Sequence, residues 1–147
     1  GREARRVVNL LESANLQAIT LNDSPGAASA LKMAYAAYSK GSSALLIAIR
    51  ALAVREGVDE ALLGEWERSQ PGLAARSEQA VRNNARKAWR YVEEMQEIAA
   101  SFTDAGLPGG FHQAAAEIYR GMEHYKDTAA PPSMAEVVTS LTKSGLS

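Results

Sequence analysis

Along most of this chain, apolar residues recur at three- and four-residue intervals, the spacing that gathers them on one side of an α-helix. Val7, Val8, Leu10 and Leu11 do this between Glu3 and Ser13 and predict a short first helix, with Arg5 and Arg6 on its polar side. The pattern changes at Leu16-Gln17-Ala18-Ile19-Thr20-Leu21, where apolar and polar residues alternate. A period of two predicts one short strand. Asn22-Asp23-Ser24-Pro25-Gly26 is a turn signal leading into a helix start. A lone strand cannot bury itself, so this one requires partners from another domain or chain.

From Ala27 to Glu56 the chain lacks proline and is rich in Ala, Leu, Ile and Met. A helix of about 30 residues would be about 45 Å long, well beyond the ordinary globular length. Leu31, Ala34, Tyr38, Leu45, Ile49 and Leu52 share its apolar character with Met33, Leu46, Ile47 and Val54 on other sides. That distribution predicts a central helix surrounded by others. Gly57 ends it. Asp59 is the expected N-cap of a short helix over Glu60 to Glu67, and Gln70-Pro71-Gly72 breaks the chain again. A second long helical region runs from Leu73 to Ala105, with a break expected near Arg82-Asn83-Asn84. Trp89, Val92, Met95, Ile98, Ala99 and Phe102 mark its buried stripe. After Gly106-Leu107-Pro108-Gly109-Gly110, Phe111 to Tyr125 predicts a helix with Ala114, Ala115, Ile118 and Met122 inward. Beyond Pro131-Pro132, Ser133 with Glu136 three residues on has the form of a capping box for a last short helix.

The chain has 147 residues, enough for one domain with a true core, so the fold needs no disulfide or structural metal. With no cysteine, thiol catalysis and cysteine-based metal sites are excluded within these 147 residues. The formal charge of -1 gives no electrostatic support for a nucleic-acid or anionic-membrane partner. No apolar run reaches membrane-spanning length, and no apolar signal core follows Gly1. The expected location is cytoplasmic.

Few residues carry candidate chemistry. His112 and His124 lie twelve apart with no ligand cluster between them, so no metal is expected. Lys32 sits early in the long helix within an alanine-rich run, with Tyr35 and Ser39 three and seven residues on. Those spacings place Tyr35 and Ser39 near its face, where together they could line a cleft. Burial would lower its pKa and suit it to proton transfer. A surface lysine lying along its own helix is the plainer reading. Glu93 and Glu94 read as solvated residues, as most paired glutamates on helices are. Arg82, Arg86, Lys87 and Arg90 with Asn83 and Asn84 form a basic stretch able to bind a carboxylate or phosphate, or simply to face solvent. No glycine-rich phosphate loop is present, although Ser24-Pro25-Gly26 could cap a helix and approach a phosphate.

The run Pro25-Gly26-Ala27-Ala28-Ser29-Ala30-Leu31-Lys32-Met33-Ala34-Tyr35-Ala36-Ala37-Tyr38-Ser39-Lys40-Gly41 resembles the start of the C-terminal domain of the 6-phosphogluconate dehydrogenase-like and β-hydroxyacid dehydrogenase superfamily. A second block, Ala85 to Ala99 followed by Phe102, Ala105-Gly106-Leu107-Pro108 and Ala114 to Tyr119, agrees. The resemblance implies an all-α, multi-helix domain with a long central helix. It makes residues 1–24 a helix-strand remnant of a Rossmann domain and 25–147 a helical substrate-binding and dimerisation domain. It implies that Lys32 is the general acid/base while hydride passes between a β-hydroxy acid or sugar acid and NAD or NADP. Tyr35, Ser39, Arg90 and Glu94 become substrate-binding candidates, and Ser24 and Gly26 candidates for touching the cofactor. The family asparagine four residues after the lysine is Ala36 here, and its Lys-Asp-Leu is Glu93-Glu94-Met95, which leaves the substrate open. The glycine-rich loop would lie in a further domain, so this chain alone is expected neither to hold the cofactor tightly nor to turn over. The implied partners are that domain, a second copy of the chain and a small hydroxy acid. Two other readings stay open: a non-catalytic helical oligomerisation domain, and an imine-reducing relative of the same fold.

Overall fold

The computed structural model describes residues 3–11, 18–22 and 24–143. Among these, seven α-helices form: α1 (Ala4–Leu11), α2 (Ala27–Arg55), α3 (Asp59–Ser69), α4 (Leu73–Asn84), α5 (Ala88–Asp104), α6 (Gly110–Arg120) and α7 (Met134–Lys143). Short 3-10 turns, Ala85–Lys87 and Glu123–Tyr125, sit between α4 and α5 and after α6. The α2 helix has 29 residues and a length of about 43 Å. It touches α3, α4, α5, α6 and α7, so these five helices are assembled on it.

Local chemistry explains the ends of these helices. At Gly57, φ is +70°, a conformation that L side chains resist. There the Val58 N–H donates to the Ala53 carbonyl at 2.9 Å and the Gly57 N–H to Val54 at 3.2 Å. This is a Schellman closure, and it satisfies the last carbonyls of α2. Gly106 closes α5 in the same way, with Leu107 donating to Phe102 and Gly106 to Thr103. The capping box of α7 forms as expected: Ser133 N–H donates to Glu136 Oε2 at 2.7 Å, and Glu136 N–H to Ser133 Oγ at 3.3 Å. Those bonds hold the Glu136 carboxyl below the ordinary carboxylate range, the Ser133 backbone N–H contributing most.

The core lies between one face of α2 and the pair α5–α6. From α2 come the small residues Ala36, Ala37 and Ala44 with Ile47; from α5, Val92, Met95 and Ile98; from α6, Ala115, Ala116 and Tyr119. Met122 and the α7 residues Val137, Val138 and Leu141 close one end. Small side chains allow the backbones to approach closely. A Cβ on Gly109 would stand 2.6 Å from the Ala99 carbonyl oxygen, so α6 can start against α5 only with glycine there. Arg50 is the one charged side chain buried in the described core, 4% exposed. It reaches Asp59 with two bonds (2.6 and 3.0 Å), Ser77 (2.8 Å) and Glu78 (3.1 Å), tying α2 to α3 and α4. Burial pulls the guanidinium pKa down, but Asp59 and Glu78 outweigh that and raise it overall.

Several expectations need correction. The helix expected over Phe111 to Tyr125 ends at Arg120, and Ala114, expected inward, is exposed. No strand forms in the described part of the period-two segment, residues 18–21, and Leu16 and Gln17 lie outside the described residues. A strand exists only through ladder bonds to a neighbour, and none is offered; no sheet remnant is therefore present among the described residues. Asp59 is not a cap but the first residue of α3, turned to Arg50, with Val58 in the cap position. Trp89 lies outside the stripe it was assigned to, partly exposed, with Lys126 Nζ 4.2 Å from its ring centre. Finally, α2 is not covered all round: Leu31, Tyr35, Tyr38, Leu45 and Leu52 face outward. The break in the second helical region falls at the 3-10 turn Ala85–Lys87, just beyond Arg82-Asn83-Asn84.

Candidate functional site

A cleft of about 500 Å³ runs between the N-terminal half of α2 and the first turns of α5. Lys32, Met33 and Lys40 line it from α2. Lys87, at the end of the 3-10 turn, and Arg90, Tyr91, Glu93, Glu94 and Glu97 of α5 line it opposite. Lys32 and Lys40 are eight residues apart, a rise of about 12 Å along α2, so they mark two levels of the cleft. Arg90 and Glu94 are one helical turn apart and share a face of α5.

The deeper level is ordered by one ion pair. Lys40 Nζ donates to Glu94 Oε1 at 2.8 Å, with both side chains half-buried. The same ammonium sits 5.2 Å from the centre of the Tyr91 ring, a cation–π contact. Tyr91 packs edge-on to Tyr119 with centroids 5.2 Å apart, and the Tyr119 hydroxyl donates to the Lys40 carbonyl at 2.8 Å. Burial, then Tyr91 and Glu94, push the Tyr119 hydroxyl pKa up, so it remains a donor. Lys40 is thus held at its backbone and at its head group. Lys32 stands nearer the rim and is exposed. Among the described residues, the side chains of Lys32, Lys87 and Arg90 take part in no ion pair or hydrogen bond. The cleft therefore presents three uncommitted cations, Lys32, Lys87 and Arg90, with the neutralised Glu94 and the exposed Glu93 and Glu97, a lining of slight net positive charge that can receive a small oxyanion.

Of the residues singled out from sequence, Lys32 meets Lys87, Arg90, Glu93 and Glu94 here, across more than fifty positions of the chain, while Arg82 and Arg86 do not line the cleft. Tyr35 and Ser39 do not line this cleft. Tyr35 projects outward, and the Ser39 hydroxyl turns back to the Ala36 carbonyl at 3.4 Å. Ser24 and Gly26 lie at the N-terminal end of α2, outside the cleft lining; the Ser24 N–H is taken by Asn22 Oδ1 at 3.1 Å. Lys40 was not singled out. Its spacing from Lys32 hints at a shared side, but its pairing with Glu94 depends on how α5 crosses α2.

His112 has no place in this cleft. It is 6% exposed, packed between Phe102 and Phe111 at centroid distances of 4.3 and 5.3 Å. Its Nδ1 is buried without a hydrogen-bond partner, and burial lowers its pKa. Among the described residues, no cluster of His, Asp and Glu could hold a metal ion. No described helix is long and apolar enough to cross a membrane.

Residues 53–122 match the model of a domain of unknown function, DUF1932. That stretch carries Lys87, Arg90 and Glu94 but neither Lys32 nor Lys40. Over 97% of its length the chain is similar to a solved structure, a conserved hypothetical protein from Sinorhizobium meliloti 1021, with 28% identity and a TM-score of 0.74. It spans 50% of that protein's chain. No curated protein matches.

Proposed function

We propose that this helical domain is the substrate-binding and dimer-forming part of a larger NAD(P)-dependent oxidoreductase acting on a β-hydroxy acid or sugar acid. The observation that supports this most is the convergence of Lys32, Arg90 and Glu94 on one cleft. In this reading the substrate's anionic group lies against Arg90 and Lys87. Its hydroxyl faces Lys32, which takes the proton as the carbon is oxidised and returns it in the reverse direction. NAD or NADP, bound mainly by the remainder of the larger protein, would accept or supply the hydride. Ser24 and Gly26, at the start of α2, would be this chain's contribution to that contact. Exposure of Lys32 at the rim suits a site that is closed by a second domain. The reading carries a cytoplasmic location with it.

The outward side of α2 supports self-association. Leu31, Tyr35, Tyr38, Ser42, Leu45, Ile49 and Leu52 follow one another at alternating intervals of four and three, the repeat of a helix-pairing seam. Tyr38 and Leu52 are 67% and 62% exposed. Beside the seam, Gly41, Ala44, Ala48, Phe111 and Ile118 line an apolar groove of about 450 Å³. A second copy of the chain would cover both. The same seam favours the alternative of a purely oligomerising domain, in which the cleft has no chemistry.

The deciding experiment is turnover by the full-length protein, wild type beside Lys32→Ala, over a panel of β-hydroxy acids and sugar acids with both cofactors. Activity that disappears in Lys32→Ala while cofactor binding persists is the expected result. Equal activity in the variant overturns the role of Lys32, and a wholly inactive parent favours the oligomerising domain.

A further inference from the structure

Lys40 is absent from the chemistry proposed above, yet it is the most tightly held cation of the cleft. Three independent contacts fix it: its carbonyl under the Tyr119 hydroxyl, its ammonium near the Tyr91 ring, and its ion pair with Glu94. The consequence lies with Glu94. An unpaired carboxylate at this position has a cation within its own helix, Arg90, one turn earlier, at the spacing that favours ion pairs. Yet Glu94 pairs across to α2 and leaves Arg90 free.

We propose that Lys40 is a positioning residue that sequesters Glu94, and so keeps Arg90 and its neighbours Lys87 and Lys32 open to a small oxyanion, carboxylate or phosphate, on the substrate. This rests on the reading of the cleft as the substrate site and adds what maintains its anion selectivity. Remove the Lys40 charge, and Glu94 turns to Arg90, neutralising the clamp and repelling an incoming anion. Glu93 and Glu97 also face the cleft, both exposed and neither paired. Glu93, three residues after Arg90, is within reach of it as well and is present in every variant, so the differences among the variants read Lys40 and Glu94.

The test needs no turnover. The 147-residue chain is titrated with inorganic phosphate and, separately, with 3-hydroxybutyrate at fixed ionic strength, following the Arg90 Nε–H and the amides of 87–94 by NMR. Four variants are compared with wild type: Lys40→Met, Lys40→Arg, Glu94→Gln, and the double Lys40→Met/Glu94→Gln. Wild type should saturate with at least one probe, and which one distinguishes a phosphate from a carboxylate substrate. Lys40→Met should bind about five- to tenfold more weakly, the scale of one partly exposed charge interaction. Lys40→Arg should stay near wild type. The double variant should recover to within about twofold of wild type, because the competing carboxylate is gone. That rescue separates sequestration from a structural role, since a damaged cleft would not be repaired by a second substitution. Lys40→Met binding like wild type, a double variant as weak as Lys40→Met, or a wild type that binds neither anion each overturns the proposal. The role of Lys32 in proton transfer is decided separately by turnover.

Discussion

Removing Asp59 should destabilise this protein more than removing the buried arginine it holds. Arg50 is almost fully enclosed, and four hydrogen bonds satisfy its guanidinium. Asp59→Ala takes two of those bonds away and leaves a buried cation with only Ser77 and Glu78. Breaking a buried pair in this direction costs about 3–5 kcal/mol when the remaining charge has nowhere to go. Here the Asp59 side chain is 25% exposed and Glu78 stays in place, so about 2–3 kcal/mol is expected. Arg50→Met removes the buried charge itself. The partners left behind fare better, because Asp59 and Glu78 can take water and Ser77 still donates to the Ala74 carbonyl at 2.6 Å. Its cost should be about 1–2 kcal/mol, and the double variant should match Arg50→Met to within about 0.5 kcal/mol. Urea unfolding followed by circular dichroism reads this directly. With a slope near 2 kcal/mol per molar, Asp59→Ala should lower the midpoint by about 1–1.5 M. Arg50→Met proving more costly than Asp59→Ala, or the two losses simply adding in the double variant, would refute the reasoning.

Three further outcomes follow from the same structure. The pKa of His112 is lowered on folding by burial, so the unfolded chain binds its proton more readily. Stability should be full above the unfolded value of about 6.5 and fall as pH drops from there toward the lower folded value. In His112→Phe that slope should flatten in unfolding curves taken across this range. Gly109→Ala forces a Cβ to 2.6 Å from a backbone oxygen that cannot swing away, and should cost about 1–3 kcal/mol by thermal unfolding; an unchanged midpoint refutes the close approach. Glu136 is held ionised by the Ser133 N–H, so its support of α7 is present above the ordinary carboxylate range and lost as pH falls through its lowered pKa. Ser133→Ala should speed hydrogen exchange in the first turn of α7 at neutral pH, and unaltered exchange there would show that the box does not anchor the helix.

Local chemistry was legible without coordinates. Periodicity marked out the helices, because an apolar stripe at 3.6 residues per turn has no other stable use. Gly57, Gly106 and the Ser133–Glu136 pair read as helix ends because positive φ and reciprocal capping are properties of a few consecutive residues. Lys32 was legible as a candidate, since a charge within an apolar helix is visible in a string of letters, whereas Glu94 became one only through the family resemblance. The tertiary structure alone decided which side of α2 is covered: Ala36, Gly41, Ala44 and Ile47 are inside, while the equally apolar Leu31, Tyr38, Leu45 and Leu52 are bare. Hydrophobicity states that a residue can be buried; only the crossing of α5 and α6 over α2 states which ones are. The period-two stretch shows the same limit from the other side, because a strand is made by its neighbour. Ion-pair partners behave likewise. Asp59 reads as a cap until α3 is laid against Arg50, and nothing in the sequence marks Lys40 until α5 brings Glu94 within 2.8 Å, because pairing across the fold is a property of distance in space and not of spacing along the chain.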